Sequence, residues 1–166
     1  MQYQPNTTGA SRPPQAEGFF TGVQPRAVIL GVVVDYFATY LGIYGYFFVY
    51  WARKAAANGQ LSPEAIGDYM QSHEGLMIGL TIGALGTLMG GFAAGLKAGS
   101  REIKHGAFVG LGSLILSFIE TQLAGGETRP MPEWIRAVSV LSIIPAGAIG
   151  GMLAGALRGE RRVARS

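Results

Sequence analysis

The chain has 166 residues, no cysteine and a net charge of +3, with 26 glycines, 49% hydrophobic residues and only 14% charged ones. A soluble domain is nearer a quarter charged. The basic residues sit in loops and tails, so they read as a topology signal rather than a nucleic-acid footprint. The missing cysteine excludes a disulfide framework, a thiolate metal site and a thiol nucleophile.

Residues 1–25 are polar and rich in Pro, Gly, Gln and Thr, which reads as a flexible arm. The opening lacks the basic region, apolar core and cleavage site of a signal peptide. Phe19 and Phe20 read as incidental aromatics in that arm. The first membrane span is expected over 27–51, long enough to cross with some tilt. Its far end is crowded with aromatics, of which Tyr46, Tyr50 and Trp51 suit an interfacial belt. Ser62-Pro63-Glu64 is a helix-start signal, with Ser as N-cap, Pro first and an acid in the first turn. It predicts a short amphipathic helix over 61–73, ahead of or running into span two.

Span two, over 76–96, belongs to an apolar run with a glycine at nearly every turn: Gly75, Gly79 and Gly83; Gly86 and Gly90; Gly91, Gly95 and Gly99. Each internal glycine costs about 1 kcal/mol against alanine in a helix in water. In lipid the same residues make grooves where another backbone approaches closely. Span three covers 107–124, with Gly106 and Gly110 continuing the pattern. Span four covers 135–157, with Gly147, Gly151, Gly155 and Gly159 in a four-residue ladder interrupted by Pro145. Pro145 frees the Leu141 carbonyl. Residues 159–166 form a basic tail. The expected fold is all-α: an integral membrane four-helix bundle of two helical hairpins packed through glycine ladders. Residues 90–101 (GGFAAGLKAGSR) echo 150–161 (GGMLAGALRGER), which suggests an internal duplication, although spans one and three match only at Gly31 and Gly110.

Nine basic residues fall on the side of the amino arm, the 97–104 turn and the carboxyl tail, and four on the other. That bias places both termini in the cytoplasm. Two acids lie inside the spans, Asp35 and Glu120, and such residues are expensive in lipid. Counting along the helices puts Asp35 roughly 13 Å deep, level with Thr87, and Glu120 roughly 22 Å deep, level with Thr81 and Ser142. Two stripes are expected to face the bundle interior: Gly31, Asp35, Thr39, Gly42 and Tyr46, and Gly106, Gly110, Ser113, Ser117 and Glu120.

The stretch Gly90-Gly91, Ala94-Gly95, Ala98-Gly99, Arg101-Glu102, Ile103, His105-Gly106-Ala107 and Val109-Gly110-Leu111 resembles uncharacterised small four-span bacterial inner-membrane proteins. Arg26-Ala27-Val28 with Gly31 and Val34-Asp35 is similar to their opening. The resemblance covers the four spans and implies a bacterial membrane protein, with no activity attached.

No metal constellation, catalytic triad, Walker loop or dinucleotide fingerprint stands in a suitable context, so no enzyme activity, metal or cofactor is expected. Three functions remain. The first is a structural or accessory subunit that docks by helix packing in a larger membrane complex or by self-association. The second is a small proton- or cation-coupled transporter or channel using Asp35 and Glu120. The third is a membrane organiser binding anionic lipid through Lys97, Arg101, Lys104 and His105; the plainer role for His105 is to cap a helix or bond a loop. The acids favour the first, as structural hydrogen-bonding groups, because no ladder of further titratable residues joins them.

Overall fold

The computed structural model describes residues 18–58, 62–123 and 132–163. Most of the arm, the span three–four connection with Arg129, and the last residues of the tail lie outside these. Five helices and no strand occur among the described residues: α1 (Pro25–Asn58), α2 (Pro63–Gln71), α3 (His73–Ala98), α4 (Glu102–Leu123) and α5 (Glu133–Val163). Four of them, α1, α3, α4 and α5, are long and apolar enough to cross a membrane.

Helix ends follow local chemistry. Pro25 sits at the first position of α1, where its missing N–H costs nothing. The α2 start is the one its sequence announces: the Ser62 hydroxyl accepts from the Ala65 N–H at 3.3 Å. Ser72 then serves two helices. Its hydroxyl donates to the Tyr69 carbonyl at 2.6 Å, closing α2, and accepts from the Gly75 N–H at 3.1 Å, opening α3. The chain therefore breaks between α2 and span two. At the other end of α3, Gly99 adopts φ 75°, which suits a residue without Cβ, and its N–H bonds the Gly95 carbonyl. Arg101 is also left-handed, at φ 51°, and its carbonyl accepts from the His105 N–H to begin α4. Both outer helices exceed their expected lengths: α1 runs past Trp51 through an alanine run, and α5 continues beyond Leu157 to Val163.

Helices α3 and α4 touch each other and both flanking helices, whereas α1 and α5 lie apart without contact. α1 runs antiparallel to α3 (Gly31 against Gly90, Gly42 against Ile82), and α4 antiparallel to α5 (Gly106 against Gly147, Gly110 against Ile143). α3 and α5 are parallel, with Gly91 beside Gly147 and Gly95 beside Gly151. The two echoing segments thus face one another at matching heights. Gly31 and Gly110 each meet the second helix of their own hairpin but at different heights, since Gly31 lies against Gly90 of α3 and Gly110 against Ile143 and Ile144 of α5, short of Gly150, the echo of Gly90.

The core is built of small residues. The buried apolar side chains are Ala27, Tyr69, Ala94, Ala98, Val109, Ile135 and Ala154, while Phe37, Phe48, Leu123 and Leu141 are at least 70% exposed. Large apolar groups outside and small ones inside suit a surface that meets acyl chains or other protein rather than water.

Candidate functional site

The polar centre of the bundle is Asp35, 3% exposed. Thr39, one turn along α1, donates to Oδ1 at 3.2 Å. Thr87 of α3 donates to Oδ2 at 3.1 Å, and Ser113 of α4 makes a close hydrogen bond to the same oxygen. One carboxyl therefore ties three helices. Gly86 and Gly90 make room for it, because a Cβ at Gly86 would lie 3.0 Å from Oδ1 and one at Gly90 would lie 2.8 Å from the Asp35 Cβ. Thr87 also stands 3.1 Å from the Gly83 carbonyl. Its single proton can go to the carboxylate, or to Gly83 while a neutral Asp35 donates to Thr87. Both arrangements leave every group paired. The depth count that set Asp35 level with Thr87 agrees with this geometry.

Glu120 is placed differently from the sequence reading. It is exposed, beside the Tyr36 hydroxyl on the outer α1–α4 edge. Its expected neighbours turn elsewhere: Thr81 donates to the Met77 carbonyl and Ser142 to the Ser139 carbonyl. Of its stripe, Gly106, Gly110 and Ser113 are buried, but Ser117 and Glu120 are not. The reason is steric. Gly106, Gly110 and Gly112 let α4 lie close, whereas 114–123 has no glycine and the helix stands away.

The glycine positions divide in the same way. Gly91, Gly106 and Gly147 meet at one three-helix junction, where a Cβ on any of them would strike a facing backbone carbonyl. Gly90, Gly110 and Gly151 make similar close approaches, whereas a Cβ at Gly86 would strike the Thr39 hydroxyl and one at Gly95 the Ala154 side chain. Gly150, not singled out by the ladders, abuts Leu88 and Phe92. Gly155 makes ordinary contact, Gly75 accommodates the α2–α3 bend against Tyr69, and Gly99 is the helix cap. Gly79 and Gly83 face open space. They lie on the wall of an apolar cavity of about 280 Å³, with Ile82, Phe47, Ile135 and Ile143. None of Asp35, Thr39, Thr87 or Ser113 lines it.

At the end shared by the amino segment and the α3–α4 turn, the basic residues bind the chain itself. Arg101 Nη1 and Lys104 Nζ each donate to the Thr21 carbonyl at 2.9 Å. His105 is wholly buried. Its Nε2 accepts from the Gln24 N–H at 2.9 Å, so its proton sits on Nδ1, 3.0 Å from the Arg101 carbonyl. The Gln24 side chain donates to the Ala98 carbonyl, and the Phe19 and Phe20 rings lie 5.1 and 5.6 Å from Phe108. Residues 18–24 are thus a clip on the turn, where the sequence suggested only a loose arm. The phenylalanine pair was the available signal. His105 bonds the loop and offers no exposed atom to a lipid phosphate; Lys97 is exposed. Arg158 of α5, unremarked in the sequence beyond its charge, donates to the Leu96 carbonyl at the end of α3 and sits 3.8 Å from Glu102.

At the opposite end, Tyr46, Tyr50 and Trp51, the aromatics expected in an interfacial belt, pack against Tyr69 of α2. Tyr69 stacks on Tyr50 at 4.3 Å and shares a 2.7 Å hydrogen bond with Tyr46. Burial, and then the Tyr46 bond, push the Tyr69 phenol well above its usual range. Lys54 donates to the Tyr50 hydroxyl and lies over the Tyr50 and Trp51 rings. Trp51 Nε1 is buried with no hydrogen-bond partner, so the Tyr50 and Tyr69 rings and Lys54 hold that indole. Glu64 is held below the usual carboxylate range by its backbone N–H and then Ser62.

Among the described residues no cluster of His, Asp and Glu has metal-site geometry. Comparison with protein-family models, curated proteins and solved structures finds no match to this chain.

Proposed function

We propose that this is a multi-pass protein of the bacterial inner membrane, with both termini cytoplasmic, acting as a structural or accessory subunit through helix packing. The observation that carries the reading is the bonding of Asp35. Both carboxyl oxygens are taken by three hydroxyls of the bundle's own helices, and the cavity lies elsewhere. An intramembrane acid used to carry ions needs a path to and from it; this one is a tie between helices. Support for the topology comes from the shared end of residues 18–24, the α3–α4 turn and Arg158, together with the excess of basic residues there. The lipid-organiser reading loses support because Arg101 and Lys104 bind Thr21.

The test combines two measurements. Reconstituted vesicles should show no proton or cation flux above empty ones, and extraction into native lipid particles should yield an assembly larger than one chain. Flux abolished by Asp35→Asn, or a lone monomer from native membranes, overturns the reading.

A further inference from the structure

Among the described residues, the outer face of α1 carries a ladder of three phenols, of which Tyr36 reaches Glu120 while the Tyr40 and Tyr44 hydroxyls have no hydrogen-bond partner in the monomer. Tyr36, Tyr40 and Tyr44 stand one turn apart, with neighbouring ring centroids at 6.1 and 6.2 Å. Tyr40 is 46% and Tyr44 69% exposed. Tyr36 and Tyr40 lie roughly 16 and 22 Å along α1 from Pro25, within the hydrocarbon and short of the far interface where tyrosines usually anchor. The contrast with Tyr46, Tyr50 and Tyr69 is direct, since those three hydroxyls are all hydrogen-bonded. Beside Tyr36 stands the exposed carboxyl of Glu120, with Ser117 one turn away on α4. This edge holds donors on α1 and an acceptor with spare lone pairs on α4, in surroundings where an unmatched polar group costs free energy.

We propose that the Tyr36–Tyr40–Tyr44 edge of α1, together with Glu120 of α4, is a self-complementary face on which a second copy of this chain docks. A two-fold axis parallel to the helices sets α1 of one copy against α4 of the other at the same height. Tyr40 and Tyr44 then donate to the partner's Glu120, and the partner returns the same bonds. A foreign cationic helix would satisfy Glu120 but give the phenols no acceptor; a second copy matches both. This inference rests on the accessory reading and names its partner.

The lack of cysteine makes the test clean. Ser117→Cys places a thiol on the face, and Met152→Cys places one on the exposed surface of α5. Oxidation in membranes should link Ser117→Cys chains into dimers and leave Met152→Cys chains single. In liposomes, photobleaching steps should show dimers, with Glu120→Leu or the Tyr40→Phe/Tyr44→Phe pair weakening dimerisation about tenfold. Both variants change exposed side chains, so an unchanged thermal midpoint separates lost docking from lost folding. Single steps at every protein-to-lipid ratio overturn the proposal, as do dimers linked through Met152→Cys or insensitive to Glu120→Leu. A different protein cross-linked at Ser117→Cys in native membranes also overturns it, while leaving the accessory reading intact.

Discussion

The near half of the bundle, from Gly86 to Gly99 of α3, and the far half, from Gly75 to Gly83, share one sequence pattern and differ in packing. In the near half Gly90 and Gly91 face backbone carbonyls of neighbouring helices and Gly86 and Gly95 press on their side chains; in the far half Gly79 and Gly83 face a cavity. The difference lies in the opposing residues. Gly91 meets Gly147, so two backbones close on each other. Around Gly83 the surroundings are Ile82, Phe47, Ile135 and Ile143, and α2 sits over that end on a stack of aromatic rings. A glycine's notch is filled where a neighbouring backbone comes down onto it; beside Gly79 and Gly83 large apolar side chains line the space and no backbone does so.

The largest test of this contrast is a bulky side chain at matched glycines. Gly147→Leu should prevent assembly or cost more than the ~1–3 kcal/mol of ordinary overpacking, because backbone on α4 must move. Gly83→Leu should stay within about 1 kcal/mol, since it enters the cavity and gains helix propensity. Unfolding in mixed micelles measures both, and equal losses would erase the distinction.

Next in size is the Asp35 tie. Asp35→Leu should cost about 1–3 kcal/mol by leaving buried hydroxyls without their acceptor. Asp35→Asn, which still accepts, should cost about 1 kcal/mol or less. Equal losses for Asn and Leu would show that charge, not hydrogen bonding, holds the three helices.

At the far end, the raised Tyr69 phenol gives a pH dependence of definite sign. The folded state prefers the neutral phenol, so α2 docking is fully supported below the ordinary tyrosine value of about 10 and weakens as pH rises beyond it. Trp51 lies 6.4 Å from Tyr69, and its fluorescence in a Trp134→Phe background should change there. Tyr69→Phe should remove the alkaline step and cost about 1 kcal/mol for the lost Tyr46 bond. An alkaline change confined to the near half would locate the sensitive group elsewhere. The smallest effect is Gly79→Ala, which should stabilise by up to about 1 kcal/mol. Destabilisation there would mean that the cavity wall is in contact after all.

The four long apolar helices, the α2 start and the Asp35–Thr87 level were legible because each rests on local spacing, rise per residue or capping chemistry. Glu120 was not. Helix periodicity puts it on the same face as Ser113, but that rule holds only while neighbouring helices stay close. The bulky 114–123 segment sends α4 outward, and this depends on pairs of helices rather than on one. The clip made by Gln24, His105 and Thr21 joins residues about eighty positions apart, a contact no local pattern encodes. Ser62-Pro63-Glu64 announced α2 as a short amphipathic helix, but not that Tyr46, Tyr50 and Trp51 were its docking surface.

The contrast between halves can be read most directly from a spin label attached at Gly83→Cys in lipid bilayers. The label should collide freely with dissolved oxygen and hardly at all with a polar nickel complex, as expected for an apolar cleft inside a membrane. Poor access to oxygen would mean that the far half is closed like the near one, and strong access to nickel would mean that these helices do not lie in a bilayer.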